Sequence, residues 1–312
     1  MSAVLSLTPS YYEALKRLTL ELAGVQLGDN HEFLIESRLS ALARREGFEG
    51  LNSLIEELFA TGQSRLAIHV VSALLERDTH FNDDYGSLND IVTICLPSLY
   101  ARYKGQTIRI LSYGCSSGQE SYSLAIAIHK ARHNFPDMGI EIIGVDYPSL
   151  AIDRARTGRY THFEVQRGLP IRDLITYFDP SGEDWIIKDA LRNMVQFKDF
   201  HLLSSINELG TFHISTFRNK LDLYSSPAQV RIMRGLANAI SPYGFLVLGH
   251  HETLGGLNFG FDQHPNIGSL WQRREIIIEE PIDPTLKVPT ERTTFESAKR
   301  RHSSFKDDIA QI

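Results

Sequence analysis

A strand, a glycine-bounded turn and a helix follow one another in the middle of this chain, and a second strand comes after them. Ile108-Arg109-Ile110-Leu111-Ser112-Tyr113 has strand character and ends in Gly114-Cys115-Ser116-Ser117-Gly118. Helical spacing covers 120–132. Ile140-Glu141-Ile142-Ile143-Gly144-Val145 is a second strand closing on Asp146, and 150–157 reads as helix again. This alternation over roughly 50 residues is the βαβ signature of a parallel sheet covered by helices.

The turn admits two specific chemistries and one bland reading. Gly114-x-Ser116-x-Gly118 formally matches a nucleophile elbow, with Ser116 attacking and an acid and a histidine to follow. Asp222 and His250 or His251 come in a workable order, but no glycine-rich oxyanion loop precedes Gly114. In the second reading, small residues let the backbone approach a nucleotide-type ligand where the helix begins. That reading needs an acid at the end of the next strand to accept hydrogen bonds from ribose hydroxyls. Asp146 stands there. The bland alternative is a tight turn that only starts a helix.

Residues 1–75 read as all-helical, with amphipathic spacing over 11–22, 32–45, 51–59 and 65–75. Downstream, 213–217 and 244–248 look like further strands and 229–239 like a helix. Residues 184–188 and 194–200 look like strands of a small insert. Scattered prolines and little apolar periodicity mark 281–312 as a flexible tail, and its Lys299-Arg300-Arg301-His302 run reads as solvated.

Composition removes several classes. A chain of 312 residues can bury a core without staples, and Cys95 and Cys115 cannot build a disulfide framework or a thiolate zinc site. His129 and His133 are spaced for a metal but lack a third ligand, so no metal is expected. A net charge of −6 argues against a general nucleic-acid binder. No apolar run approaches the roughly 18 residues of a membrane span, and no signal peptide is visible. A cytoplasmic globular protein without membrane insertion is expected.

The segment Leu111-Ser-Tyr-Gly-Cys-Ser-Ser-Gly-Gln-Glu-Ser-Tyr-Ser-Leu-Ala125 resembles the Ala-Cys-Ser-x-Gly-Glu-Glu-Pro-Tyr-Ser motif of the CheR chemotaxis receptor methyltransferases. The resemblance extends from about residue 11 to about residue 275. Gly24-Val25, Glu36-Ser37-Arg38-Leu39 and Gly47-Phe48 are similar to that family's helical domain. Gly144-Val145-Asp146 is similar to its ribose-binding strand end, Phe217-Arg218-Asn219 to its Cys-Arg-Asn, and Gly249-His250-His251-Glu252 to its closing segment.

The resemblance implies an α/β fold: a Rossmann-like class I methyltransferase domain over 76–280 with a small antiparallel β-subdomain insert at about 158–200. An all-helical N-terminal domain over 1–75 precedes it. It implies S-adenosylmethionine or S-adenosylhomocysteine as cofactor. It also implies a receptor or other signalling protein as partner, methylated on glutamate side chains. Ser116 then belongs to a cofactor loop and is no nucleophile.

Matched residue by residue, the family motifs put Thr79, Glu120, Asp146, Leu202 and Asn219 on the cofactor, with Gly114 and Ser116 in the loop. Other positions depart. Asp83 stands where the family has an arginine, Asn82 where it has a phenylalanine, and Arg77 where it has an asparagine. Leu223 stands at its tyrosine, with Tyr224 one place later as a substitute. His201 replaces an asparagine, and His213 an aspartate. The family's arginine and tyrosine flank donor and acceptor, so these departures imply altered or lost catalysis. The alternative is therefore an inactive CheR-like module that binds a nucleotide-type ligand or a signalling partner.

Overall fold

The computed structural model describes residues 7–28, 32–61, 64–75, 79–147 and 150–275; Arg77 and the 281–312 segment lie outside them. The chain divides into two units. One holds the N-terminal helices together with Leu223–Ser225, and the other holds the described residues of Arg77–Asp222 and Ser226–Pro281.

The first unit is built on four helices, Pro9–Ala23, Glu32–Arg45, Leu51–Thr61 and Ser64–Leu75. Thr8 caps the first by accepting the Tyr11 N–H, and Gly24, at φ 69°, ends it in the left-handed conformation that glycine adopts without strain. The helical spacing read from the sequence places Leu15, Leu39, Leu42, Leu54, Ile55 and Val70 on faces that bury together. Leu223–Ser225 complete this unit by pairing with Gly24–Gln26. Gln26 N–H donates to the Leu223 carbonyl at 2.8 Å, and Ser225 N–H to that of Gly24 at 2.9 Å.

The described residues of the second unit form ten strands: β1 Thr107–Tyr113, β2 Gly139–Asp146, β3 Arg159–Thr161, β4 Phe178–Ser181, β5 Asp184–Ile187, β6 Val195–Asp199, β7 Phe212–Thr216, β8 Ile240–Val247, β9 Phe261–His264 and β10 Ile267–Arg273. Seven form one sheet in the order β6-β2-β1-β7-β8-β10-β9. The first five run parallel, and β10 pairs antiparallel with β8 and β9. Their runs are apolar because helices such as Gln119–Ala131 and Ser226–Ala239 are there to cover them. β3, β5 and β4 make the small antiparallel sheet.

One expectation is corrected. Residues 194–200 are not a strand of the insert, because β6 pairs in parallel register with β2 at the edge of the main sheet. The pairing depends on Gly144. A Cβ there would stand 2.7 Å from the Phe197 ring, so only glycine leaves room for the neighbouring strand's side chain. The segments Tyr85–Asp90, Ile91–Cys95 and Leu96–Arg102, and the β9–β10 hairpin, are helical and strand elements that the sequence reading left unassigned. No helix among the described residues is long and apolar enough to cross a membrane.

The chain winds from β1 outward to β2 and β6, then crosses to β7 and β8. The order reverses between β1 and β7. In open parallel sheets such a reversal opens a crevice at the carboxyl ends of the strands.

Candidate active site

The glycine turn leaves β1 at that crevice. Gly114, Ser116 and Gly118 all take positive φ, at 74°, 50° and 92°. The Gly114 and Cys115 N–H groups both donate to the Val145 carbonyl, at 2.8 and 2.9 Å, which ties the turn to the end of β2. Gly118 is required twice over. Its φ is left-handed, and a Cβ would stand 2.9 Å from the Ala155 Cβ and 3.0 Å from Phe197.

Asp146 ends β2 beside this turn. One carboxylate oxygen accepts the Ser116 N–H, and the other accepts the Tyr147 N–H at 2.6 Å. Burial raises its pKa above the usual carboxylate value, although Lys220 and the two N–H groups pull the other way.

Glu120, in the first turn of the Gln119–Ala131 helix, lies under the same crevice. Its carboxylate accepts the Thr216 hydroxyl at 2.6 Å and the Ser112 hydroxyl at 3.2 Å, and meets Arg218 at 3.4 Å. Burial would raise its pKa. The charges of Arg218 and Lys220, with the two hydroxyls, outweigh that and hold it below the usual value. Arg218 is 2% exposed. It also donates to the Asp83 backbone carbonyl and stands 3.7 Å from the Asp84 carboxylate. Its Nε is buried with no partner among the described residues.

The loop after β7 carries Asn219 and Lys220. A residue that the sequence reading did not assign to the site fixes it: the Glu252 carboxylate accepts N–H groups from Asn219, Lys220, Leu221 and Gly249, at 2.6 to 2.8 Å. The glutamate was visible in Gly249-His250-His251-Glu252, but nothing local tied it to a loop about 30 residues upstream. Asn219 has φ 55°, and its side chain lies against Gly249, where a Cβ would clash with it. Leu202 faces the turn from the other side. Its carbonyl accepts the Tyr113 hydroxyl, and its methyl would lie 3.6 Å from a Cβ on Gly114.

Gly114, Ser116, Glu120, Asp146, Leu202 and the loop carrying Asn219 thus come together around the carboxyl ends of β1, β2 and β7. Thr79 leads into the Phe81–Asp84 turn. That turn is held by Phe81, packed edge-on to Tyr160 and Phe178, and by the Asn82 N–H on the Ser123 hydroxyl at 2.9 Å. The Asp83 carboxylate faces His80 at 3.2 Å and keeps 44% of its side chain exposed. Leu223 and Tyr224 group with the helical unit; Tyr224 is buried and its backbone bridges Val25.

The two histidine departures have structural partners. His201 accepts the Leu203 N–H at 3.1 Å and its ring lies 4.5 Å from Tyr147. His213 accepts the Arg109 N–H at 3.0 Å; burial and the Arg109 charge lower its pKa, which suits a neutral acceptor. His129 packs on Tyr177.

Residues 77–266 match the family described as CheR methyltransferase, SAM binding domain. The chain belongs to the CheR methyltransferase family. It is 34% identical over 246 residues to the chemotaxis protein methyltransferase Cher2 of Pseudomonas putida, covering 77% of this chain and 90% of that one. Chemotaxis protein methyltransferase 1 of Pseudomonas aeruginosa is 32% identical, over 79% of this chain and 91% of its own. The chemotaxis protein methyltransferase of Vibrio parahaemolyticus is 28% identical, over 84% and 95%.

The cofactor of this CheR domain is S-adenosylmethionine or S-adenosylhomocysteine, and the residues present fit it. Each Asp146 oxygen has one protein donor and a further lone pair, which is what a ribose diol needs. Glu120, held ionised, would supply a negative charge to a cationic ligand, and the Gly114 and Ser116 backbone would allow close approach. When bound, S-adenosylmethionine supplies an electrophilic methyl group on a sulfonium.

Proposed function

We propose that the protein transfers a methyl group from S-adenosylmethionine to a glutamate carboxylate on a chemotaxis receptor or related signalling protein, forming a methyl ester. The observation that carries this reading is the meeting of Asp146, Glu120 and the Asn219 loop at the crevice where the strand order reverses. The names of the relatives support the chemotaxis context.

A glutamate side chain is already ionised at neutral pH, so its oxygen attacks without a general base. The protein's contribution is alignment and exclusion of water, and alignment supplies much of the acceleration of an in-line displacement. Asp146 holds one end of the cofactor, and the Glu120–Arg218 pair keeps the crevice floor rigid beneath it.

A second reading, a binding module without transfer, is favoured by one observation. Asp83 puts a carboxylate where the resemblance expects an arginine, and an anion there would repel an anionic acceptor. The test incubates the protein with methyl-labelled S-adenosylmethionine and a receptor preparation, and measures alkali-released methanol. Calorimetry with both cofactor forms runs in parallel. Alkali-labile label supports the transferase. Tight binding without label supports the module, and no binding of either form sinks both cofactor readings and leaves a module for a signalling partner.

A further inference from the structure

Among the described residues, Arg218 and Lys220 stand among the acids of the crevice, and of these two Arg218 has side-chain partners. Arg218 is buried and held by Glu120, Asp84 and the Asp83 carbonyl. Lys220 differs. Its backbone is fixed by Glu252, and its side chain lies along the glycine turn: a Cβ on Gly114 would meet its Cδ at 2.9 Å and its Cε at 3.3 Å. It is part-buried, yet its ammonium makes no hydrogen bond or ion pair with any described residue. Its charge nevertheless acts on both Asp146 and Glu120, opposing the rise that burial gives each of them.

A part-buried ammonium without an acceptor is suited to a ligand that brings one. The cofactor has three charged groups: a sulfonium and an α-ammonium, which Lys220 would repel, and one carboxylate, which it would attract. We infer that Lys220 holds the carboxylate of the cofactor's amino-acid end. Glu120 and Lys220, near enough that the lysine's charge acts on the glutamate, then present an anion and a cation, the complement of a zwitterionic amino acid. The lysine stem is flexible enough to follow the carboxylate, and the contact is a charge-assisted hydrogen bond.

This inference rests on the cofactor assignment, and the experiment separates the two. Calorimetry compares S-adenosylmethionine, S-adenosylhomocysteine and the decarboxylated analogue of the latter, which keeps the amine, on the wild type, Lys220→Met and Lys220→Arg. The expected result is that Lys220→Met weakens S-adenosylhomocysteine by about tenfold or more, as loss of a charged hydrogen bond does. The same variant should bind the decarboxylated analogue no more weakly than the wild type does, since its one charge is the ammonium that Lys220 repels, and this also reports an intact pocket. Lys220→Arg should recover most of the loss. Equal weakening of S-adenosylhomocysteine and its analogue, or unchanged S-adenosylhomocysteine affinity, overturns the role of Lys220 and leaves the cofactor assignment standing. Selective tightening of S-adenosylmethionine in Lys220→Met would show repulsion of the sulfonium instead, and also overturns it. A wild type that binds neither cofactor form overturns both.

Discussion

Glu120 and Asp146 are both carboxylates at one crevice, yet their protons respond to it in opposite ways. Asp146 is raised by burial, so between its unfolded and folded pKa the folded state binds more protons than the unfolded. Its contribution to stability therefore improves as pH falls and worsens as pH rises through that window. Asp146→Asn should gain on the wild type in melting temperature as pH rises through that window, against a pH-independent loss from the amide NH2 that then faces the Ser116 or Tyr147 N–H. The same change should weaken S-adenosylhomocysteine by about tenfold or more, because a neutral amide accepts less strongly from the ribose. Glu120 is lowered on balance, with the Arg218 and Lys220 charges and two hydroxyls overcoming burial. It stabilises above the unfolded carboxylate pKa, and that stability is lost as pH falls through the folded value. Glu120→Gln leaves the buried Arg218 only the Asp84 carboxylate at 3.7 Å, at a cost of about 3 kcal/mol measured by urea denaturation at neutral pH. Its stability should also lose the acid-dependent fall. Both acids were legible in the sequence because each lies in or beside a compact motif. Glu252 and Lys220 were not, because their roles arise from neighbours that only the folded chain provides.

Among the elements, the β1 turn and the loop after β7 set the geometry of the crevice. Gly118→Ala would place a methyl group 2.9 Å from Ala155 at φ 92°, and should destabilise by about 2 kcal/mol in thermal melts. Glu252→Ala would leave the N–H groups of Asn219, Lys220, Leu221 and Gly249 without their shared acceptor. It should lower stability by about 2 kcal/mol and weaken cofactor binding, since the loop carrying Asn219 loses its anchor. Hydrogen exchange at the 219–221 amides checks the local part of that effect. The parallel strands β1 and β2 were legible because buried parallel strands read as continuous apolar runs. β6 was assigned to the wrong sheet because its sequence neighbours are the insert, while its pairing partner β2 lies about 50 residues earlier. Val195-Gln196-Phe197-Lys198-Asp199 alternates as an edge strand of either sheet would, so periodicity could not choose between them.

At the scale of the molecule, the order of motifs carried the fold more than any one of them did. A glycine turn is common, but a glycine turn, a strand-end acid and an Arg-Asn pair in that order specify a cofactor-binding α/β domain. The β9–β10 hairpin carried no comparable motif and was missed. Binding of S-adenosylhomocysteine should stabilise the folded chain through mass action, by about 2.7 kcal/mol at one hundred times its dissociation constant. Arg218, Asp146 and the Glu252-anchored loop suit a domain that holds its cofactor, while Asp83 bears on whether the methyl group then moves. The decisive measurement is mass spectrometry of a chemotaxis receptor signalling domain after incubation with the protein and S-adenosylmethionine. Methyl transfer predicts a single-methyl increment on glutamate side chains, removed by alkali and absent when Asp146→Ala replaces the wild type. Receptor glutamates that stay unmodified while the wild type binds S-adenosylmethionine tightly would contradict it.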